Sequence, residues 1–300
     1  MKPFQDLRTQ WKLARRSRKK MRFFRSADII LVAYAKSGRT WLSVMISHIA
    51  HQKFGTPAEQ LISSSEFREA NPELPNFFLT ADNFAPPGLG EPALLALYRE
   101  RKVVLLVRDP RDIAVSLYFQ LSKRASPLAR AVFEVPDNLE EMTLFDFVCD
   151  DSVGLPRVIE WLNRWRGWID EIPEGLVISY EDLRAETPRI LGQATDLIGW
   201  QCSEEELQAA ADFAAFDKLK VLEKEKFFQS RRMQPRDAQD SSTFKVRRGK
   251  VGGYRDDFTA EQIARIDALV TERLDPRLGY GQRSESRSLQ GHARGRAGEA

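Results

Sequence analysis

A short polar loop at residues 35–40 carries residue types that bind anions. It follows an apolar, β-branched run at residues 29–32, and from Trp41 onward apolar residues recur at helical spacing. This pattern predicts a strand, a tight loop and a buried helix, whose N-terminal amides and dipole favour an anion at the loop. The loop adds one cation, two hydroxyls and a glycine that permits close approach or a positive φ: Lys36, Ser37, Thr40 and Gly38.

The order of residues in this loop differs from that of a Walker A loop. A Walker A loop reads G-x-x-x-x-G-K-[ST], with its lysine after the second glycine and a hydroxyl beside it for magnesium. Here Lys36 precedes Gly38. The loop therefore predicts a phosphate site but not magnesium-dependent use of ATP. For these residues alone, an ordinary strand-to-helix turn with a surface lysine is the alternative.

A second anion site is predicted after the apolar run at residues 103–107, which is typical of a central parallel strand. Arg108 ends this run, and Asp109 can cap the helix that follows. Arg108 and Ser116 could both reach one anionic group above the sheet edge, since a guanidinium binds such groups in bidentate fashion. The alternative is that Arg108 pairs with Asp109 or Asp112 and that Ser116 only fills a helix position.

Two more strands are predicted to end at the same edge. Residues 77–80 precede the pair Asp82 and Asn83, and residues 176–179 precede Tyr180. Because ligands of open α/β sheets bind at the carboxyl ends of the strands, we expect these side chains near the anion loop. An Asp-Asn pair is also ordinary turn chemistry, so its position is suggestive only.

Two longer stretches lack clear periodicity. Residues 125–150 are predicted to be irregular, and their length suggests a lid over the substrate. Residues 217–250 are basic and end in Arg247, Arg248 and Gly249, which suit a second phosphate clamp. The Arg-Arg-Gly sequence is common in loops, so this motif is weak by itself.

The length of 300 residues and the hydrophobic content of 42% fit one large domain. We predict an α/β fold: a single domain with a mostly parallel central sheet flanked by helices. Further helices are predicted at residues 158–169, 188–198, 204–216 and 259–274. The domain is expected at residues 26–280, between a basic segment at residues 1–25 and a tail at residues 281–300 whose composition predicts disorder.

The N-terminal segment is strongly basic. Residues 2–25 hold ten Lys and Arg residues and one acid, with Trp11 and Phe23 among them. The aromatic spacing is not cleanly amphipathic, so we favour a solvated helix or tail whose charges attract anionic ligands. A weak peripheral contact with an anionic membrane is the alternative. No specific binding of nucleic acid is predicted.

Cysteine and histidine usage indicates the cellular compartment. Cys149 and Cys202 make no disulfide framework, and the three histidines offer no convincing metal cluster. No run approaches 18 apolar residues, and the basic N-terminus lacks the apolar core of a secretory signal. The chain is therefore predicted to be a reduced, metal-free, cytoplasmic protein.

Four stretches, in one order along most of the chain, resemble sulfotransferases that use 3′-phosphoadenosine-5′-phosphosulfate (PAPS). Residues 34–41, YAKSGRTW, resemble the family's 5′-phosphosulfate loop Y-P-K-[ST]-G-T-T-W. Residues 108–116, which begin RDPRD, resemble its 3′-phosphate motif. Residues 180–183, YEDL, resemble a segment near the adenine, and residues 247–259 resemble the late motif R-K-G-x-x-G-[DN]-[WY]-x-x-x-F-T.

The resemblance implies a P-loop-like sulfotransferase fold and in-line transfer of a sulfuryl group from PAPS to an acceptor hydroxyl or amine. It implies PAP as the product and no metal. The residues implied for the 5′-phosphosulfate are Lys36, Ser37, Gly38, Arg39 and Thr40. Those implied for the 3′-phosphate are Arg108, Ser116, Arg247, Arg248 and Gly249. Those implied for the adenine are Trp41, Tyr180 and Phe216.

The catalytic candidates are Lys36, Ser116 and Asp82. Lys36 is expected to neutralise the leaving phosphate oxygen. Many family members place a general-base histidine where this chain has Ala81. Either Asp82 is the base, or the chain is a catalytically weak or silent PAPS- and PAP-binding protein, because a positioned base is worth roughly 10²–10⁴-fold in rate. The expected acceptor is a small molecule, a carbohydrate or a lipid.

Overall fold

The computed structural model describes residues 7–63, 67, 71–86, 88–123, 125–230 and 249–281. Its centre is a sheet of four parallel strands in the order β2-β1-β3-β4. The strands are β1 (Ile29–Ala33), β2 (Phe77–Thr80), β3 (Lys102–Val107) and β4 (Gly175–Ser179). The predicted α/β fold with a parallel central sheet is confirmed.

Helices cover both faces of this sheet. In chain order they are α1 (Leu7–Arg25), α2 (Arg39–Phe54), α3 (Glu91–Arg99), α4 (Pro110–Lys123), α5 (Pro127–Phe133), α6 (Leu144–Cys149), α7 (Leu155–Ile169), α8 (Tyr180–Ala185), α9 (Thr187–Ile198), α10 (Glu204–Phe213), α11 (Phe216–Lys224) and α12 (Ala260–Arg273). Short 3₁₀ turns lie at Gly253–Asp257 and Pro276–Leu278. Within the described ranges, no helix is both long and apolar enough to cross a membrane.

Strand β1 divides the core into two layers because its side chains alternate between the faces of the sheet. Ile30 and Val32 pack on one face, in the cluster that also holds buried residues of α4, α7 and α12. Ile29 and Leu31 pack on the other, with buried residues of α2, α9 and α10. The three tryptophans of α7, Trp161, Trp165 and Trp168, belong to the first cluster and form a core face of that helix.

Helix α1 packs on the domain along its inner face, where the sequence predicted a solvated helix or tail. Met21 and Phe24 are buried, and the Phe24 ring contacts those of Phe78 and Phe84. The Ser17 hydroxyl donates a hydrogen bond of 2.6 Å to the carbonyl of Phe84. The prediction is therefore wrong for this face. In the sequence, the many cations of the helix interrupt a short apolar stripe, so the stripe was not recognised.

Three further segments differ from their predicted structure. Residues 125–150, predicted to be irregular, contain α5 and α6, which the side chains of Ser126 and Thr143 cap. The helix predicted at residues 204–216 ends at Phe213, and α11 runs from Phe216 to Lys224, into the stretch at residues 217–250 that showed no periodicity. Helices of six to nine residues repeat their apolar spacing too few times to be recognised. The predicted tail beyond residue 281 lies outside the described residues.

Candidate active site

The loop between β1 and α2 has the conformation that its sequence predicts. Lys36 and Gly38 adopt positive φ values of 75° and 94°, and α2 begins directly after Gly38. A Cβ atom at Gly38 would lie 2.6 Å from Cδ2 of Tyr180, so only glycine fits there. Lys36, Gly38 and Thr40 line a cavity, and the first turn of α2 leaves N–H groups without intrahelical partners beside it.

Arg39 and Ser37 lie differently within the same loop. The guanidinium of Arg39 lines the cavity and donates a hydrogen bond of 3.1 Å to the carbonyl of Ala33. Ser37 is fully buried and does not line the cavity, and its Oγ has no hydrogen-bond partner among the described residues. Four of the five residues implied for the phosphosulfate therefore face the cavity.

Arg108 connects this loop to a distant part of the chain. Its Nη1 donates to the carbonyl of Lys36 at 3.1 Å, and its Nη2 donates to the carbonyl of Lys250 at 3.1 Å. The guanidinium carbon lies 4.4 Å from the centre of the Tyr180 ring. Nη2 also lies 3.3 Å from Oδ2 of Asp112, so the predicted alternative pairing is present while Arg108 still lines the cavity.

Asp112 fixes the loop that carries the late glycine motif. Its two carboxylate oxygens accept hydrogen bonds from the backbone N–H groups of Gly252 and Tyr254, at 2.9 and 3.0 Å. Its side chain is only 3% exposed, and this burial raises the pKa of Asp112 against the lowering effect of Arg108. Asp112 thus joins α4, Arg108 and the loop at residues 249–254 into one unit.

Aromatic side chains close the end of the cavity near β4. Trp41 contacts Tyr180 edge to face, with ring centroids 5.7 Å apart, and its indole N–H donates to the carbonyl of Ala214 at 2.9 Å. A Cβ at Gly249, where φ is 59°, would lie 2.7 Å from the Phe216 ring. The three residues predicted near the adenine therefore lie together.

Together these groups line one cavity of about 990 Å³ along the carboxyl edge of the sheet. The edge brings Tyr180 after β4, Arg108 after β3, Lys36 after β1 and Ala81 after β2 into one row. Ser116, on the second turn of α4, also lines it. Among the described lining residues, cations greatly outnumber acids: Arg16, Lys20, Lys36, Arg39, Arg108, Arg184 and Lys250 stand against Asp112.

Asp82, the predicted general base, is not among the residues that line the cavity. Its side chain is 1% exposed, pairs with Arg164 at 2.8 Å and accepts a hydrogen bond of 2.9 Å from the Tyr98 hydroxyl. Burial raises the pKa of Asp82 to about 6, while the Arg164 charge and the Tyr98 hydrogen bond lower it. A positive φ of 56° turns Asp82 inward, which the sequence does not reveal. This placement argues against the prediction.

Some predicted site residues lie outside the described part of the chain. Arg247 and Arg248 are among them, and Gly249, which follows them, lies at the cavity. Sequence reasoning also missed residues that do line the cavity. Arg184 could have been found, since it lies one helical turn after Tyr180 in the YEDL segment. No sequence pattern marks Arg16 and Lys20 as site residues, because only the folded chain brings α1 to the cavity.

A family comparison identifies the fold that carries this cavity. Residues 26–276 match the sulfotransferase domain. The chain belongs to the sulfotransferase family. Sulfotransferases are transferases, and the match includes the anion loop, Arg108 and the loop at residues 249–254.

Curated sulfotransferases are similar over most of their length. The chain is 26% identical over 258 residues to a 3-alpha-hydroxysteroid sulfotransferase of Cavia porcellus, covering 82% of this chain and 83% of that protein. It is 28% identical over 272 residues to cytosolic sulfotransferase 14 of Arabidopsis thaliana, covering 82% and 75%.

Solved structures share the sulfotransferase fold. One is mouse sulfotransferase SULT7A1 complexed with PAP, with a TM-score of 0.56, 20% identity and coverage of 86% of this chain and 89% of that one. Another is retinol dehydratase in complex with androsterone and the inactive cofactor PAP, with a TM-score of 0.58, 18% identity and coverage of 86% and 85%.

Proposed function

We propose that this sulfotransferase binds PAPS in the cavity at the sheet edge and transfers its sulfuryl group to an acceptor hydroxyl or amine. The observation that carries the proposal is the position of Arg108. It contacts the backbone of both Lys36 and Lys250, so the two anion sites recognised in the sequence adjoin each other. A nucleotide with phosphates at its 5′ and 3′ positions matches two adjacent cationic sites with an aromatic pocket beside them.

The described residues fit such a nucleotide. Gly38 and Gly249 leave space that a Cβ would fill, and cations predominate in the lining. For the 5′-phosphosulfate we propose Lys36, Gly38, Arg39 and Thr40, while Ser37, which is buried and does not line the cavity, remains a prediction from the sequence. For the 3′-phosphate we propose Arg108, Ser116 and Gly249, with Arg247 and Arg248 remaining predictions from the sequence. For the adenine we propose Trp41, Tyr180 and Phe216.

PAPS supplies the sulfuryl group, and the chain supplies charge and orientation. Lys36 and the first-turn amides of α2 place positive charge where the leaving phosphate oxygen gains negative charge, which lowers the barrier of a loose transition state. Ser116 lies on the wall of the same cavity as Arg108 and carries a hydroxyl donor. Within the described ranges, no group of three His, Cys, Asp or Glu side chains could hold a metal ion.

For deprotonation of the acceptor, the described residues that line the cavity provide fewer suitable groups than for the other steps. Ala81 lines the cavity at the position where many family members place a general-base histidine, and burial raises the pKa of Tyr34 to about 12, so this lining phenol stays protonated at neutral pH. We therefore propose that acidic hydroxyls such as phenols react faster than alcohols. Ala81 is also the observation that favours the alternative, a catalytically weak or silent PAPS- and PAP-binding protein.

We propose a small-molecule acceptor. The relatives include proteins named for a hydroxysteroid and a flavonol, and one neighbouring structure contains androsterone. Phe133 on α5 lines the cavity and gives it an apolar wall. Carbohydrate and lipid acceptors remain predictions from the sequence.

We also propose that the protein works in the cytoplasm, as the names of three Arabidopsis relatives suggest for those proteins. A weak contact with an anionic membrane through α1 remains a prediction. Trp11 and Phe23 are exposed among the cations of that helix, and cosedimentation with phosphatidylserine vesicles at low and high salt tests the contact.

Two measurements test the main proposal. Calorimetric titration should show binding of PAP without magnesium and far weaker binding of ATP with magnesium. Incubation with PAPS and a panel of phenols and alcohols should produce sulfated phenols. PAP binding without turnover on any acceptor would favour the silent alternative, and preferential binding of magnesium-ATP would contradict both.

A further inference from the structure

Helix α1 lies outside the matched family domain yet forms part of the cavity wall. The match begins at residue 26, and α1 ends at Arg25. Arg16 and Lys20, four residues apart on one helical face, line the cavity, whereas Arg18 and Lys12 on the same helix are exposed and do not line it. The helix therefore brings two particular cations to a site that the domain otherwise builds.

These two cations are held in place by Asn83. Nη1 and Nη2 of Arg16 donate to the backbone carbonyl and to Oδ1 of Asn83, at 2.8 and 3.0 Å. Nζ of Lys20 donates to the same Oδ1 at 3.3 Å. These three bonds hold the two cationic side chains at the cavity wall. Such preorganised charges favour an anionic partner.

The order of the strands separates two ends of the cavity. Arg16, Lys20 and Asn83 form one corner, and the residues proposed for the nucleotide form the other end, called the nucleotide end here. Asn83 follows β2 at one edge of the sheet, and Tyr180 follows β4 at the other. With neighbouring strands about 4.8 Å apart, three steps place β2 roughly 14 Å from β4. Lys36 and Arg108 occupy the strand ends between them. The corner with Arg16 and Lys20 thus lies beyond Lys36, on the side of Ala81, where the proposed function places the acceptor.

We propose that Arg16 and Lys20 select acceptors that carry an anionic group, a carboxylate or a sulfate, near the hydroxyl that receives the sulfuryl group. This inference rests on the proposed function and narrows its acceptor class. Ala125, Ser126 and Ala129 line the same cavity from α5 and its approach, and α1 packs against α5. The small side chains leave room for an acceptor between the two helices.

The test uses matched acceptors that differ in one charge. The probes are 4-hydroxyphenylacetate and its methyl ester, cholate and its methyl ester, and methyl glucuronide and methyl glucoside. Their binding to the full chain saturated with PAP is measured by calorimetry. We expect the acid of at least one pair to bind about tenfold tighter than its neutral partner, as one charge-assisted contact predicts. Absence of an acid preference in all three pairs overturns the inference.

Variants test whether Arg16 and Lys20 cause the tighter binding of the acid over its neutral partner. Arg16→Gln/Lys20→Gln should lose it, while Arg16→Lys/Lys20→Arg should retain most of it. The matched control Arg18→Gln/Lys12→Gln removes the same charges from exposed positions of α1 and should leave the preference unchanged. A preference that survives Arg16→Gln/Lys20→Gln overturns the inference.

PAP affinity distinguishes this inference from the proposed function. Arg16→Gln/Lys20→Gln should bind PAP within about twofold of the wild type, since these residues lie outside the nucleotide end; a tenfold loss would assign them to the nucleotide and overturn the inference. Failure of the wild-type protein to bind PAP would instead contradict the proposed function. Thermal unfolding of each variant checks that α1 stays folded.

Discussion

At the scale of single residues, the site depends on side chains that each meet two requirements. Arg108 must present charge to the cavity and also hold the carbonyls of Lys36 and Lys250. Gly38 must adopt a positive φ and also leave space for Tyr180. The sequence reveals the first requirement in each case, through residue type and position. It does not reveal the second, because the partner is far away in the chain.

Lys36→Ala should reduce sulfuryl transfer by roughly 10²–10³-fold, because it removes the cation proposed to neutralise the leaving oxygen, while PAP affinity falls less. Initial rates with labelled PAPS and direct titration with PAP separate the two effects. Exposed Lys224→Ala on α11 is the control and should behave as the wild type. Near-normal turnover in Lys36→Ala would remove the catalytic role of this lysine.

Gly38→Ala should weaken PAP binding and lower the free energy of unfolding by about 1–3 kcal/mol, since alanine is strained at φ 94° and its Cβ would meet Tyr180. Gly167→Ala is the matched control: nothing lies within 4 Å of its Cβ, and it sits in helix α7. It should stabilise the protein by about 0.5–1 kcal/mol. Urea unfolding measures both. Equal effects of the two substitutions would contradict the tight contact at Gly38.

Asp82→Asn should change how stability depends on pH. The pKa of Asp82 is raised from 3.8 to about 6, so the folded chain binds this proton more tightly than the unfolded chain between those values. Ionisation then lowers the free energy of unfolding as pH rises through this interval, by about 3 kcal/mol in total. The amide of the variant Asp82→Asn cannot ionise, so its free energy of unfolding does not fall in this way. The difference in free energy of unfolding, variant minus wild type, should therefore increase from pH 4 to pH 7.

The same variant separates the two predicted roles of Asp82. Transfer should fall less than about tenfold in Asp82→Asn, far less than the loss of a general base would cause. Exposed Asp137→Asn controls for removal of a carboxylate. A larger loss of rate would restore Asp82 as the base, and a relative stability that decreases with pH would contradict its raised pKa.

At the scale of elements, the strands and the longer helices follow from local patterns, while the short helices do not. The apolar runs of β1 and β3 are buried on both faces and were recognisable for that reason. Helix α12, predicted at residues 259–274, begins at Ala260, and its N-cap Thr259 forms a capping box with Gln262. Helices α5 and α6 begin at the side-chain caps Ser126 and Thr143, and α11 packs through the buried Leu219. These three helices are too short to show the repeated spacing that identifies longer helices.

Asp112→Asn should loosen the loop at residues 249–254. The carboxylate accepts two backbone N–H groups and pairs with Arg108, and an amide can replace only part of this set. We expect a loss of about 2–4 kcal/mol in the free energy of unfolding and weaker PAP binding, since one partner of a buried pair is removed. Hydrogen exchange should rise in the loop at Gly252 and Tyr254. Unchanged exchange there would show that other contacts hold the loop.

At the scale of the whole molecule, function depends on distant segments meeting along one edge of the sheet. Along this edge, the residues proposed for the nucleotide follow β4, β3 and β1, and those proposed for the acceptor lie on the side of β2. The motifs in the sequence predicted the nucleotide half, because each motif is local. The proposed acceptor half includes α1, which contains no motif and is held at the cavity by tertiary contacts such as the packing of Met21 and Phe24.

The most direct test of the central claim is a crystal structure of the protein with PAP. The account predicts one PAP molecule in the cavity, with its 5′-phosphate at Lys36 and the first turn of α2, its 3′-phosphate at Arg108 and its adenine beside Trp41 and Tyr180. A PAP molecule bound elsewhere, or one whose phosphates contact neither Lys36 nor Arg108, would contradict the account.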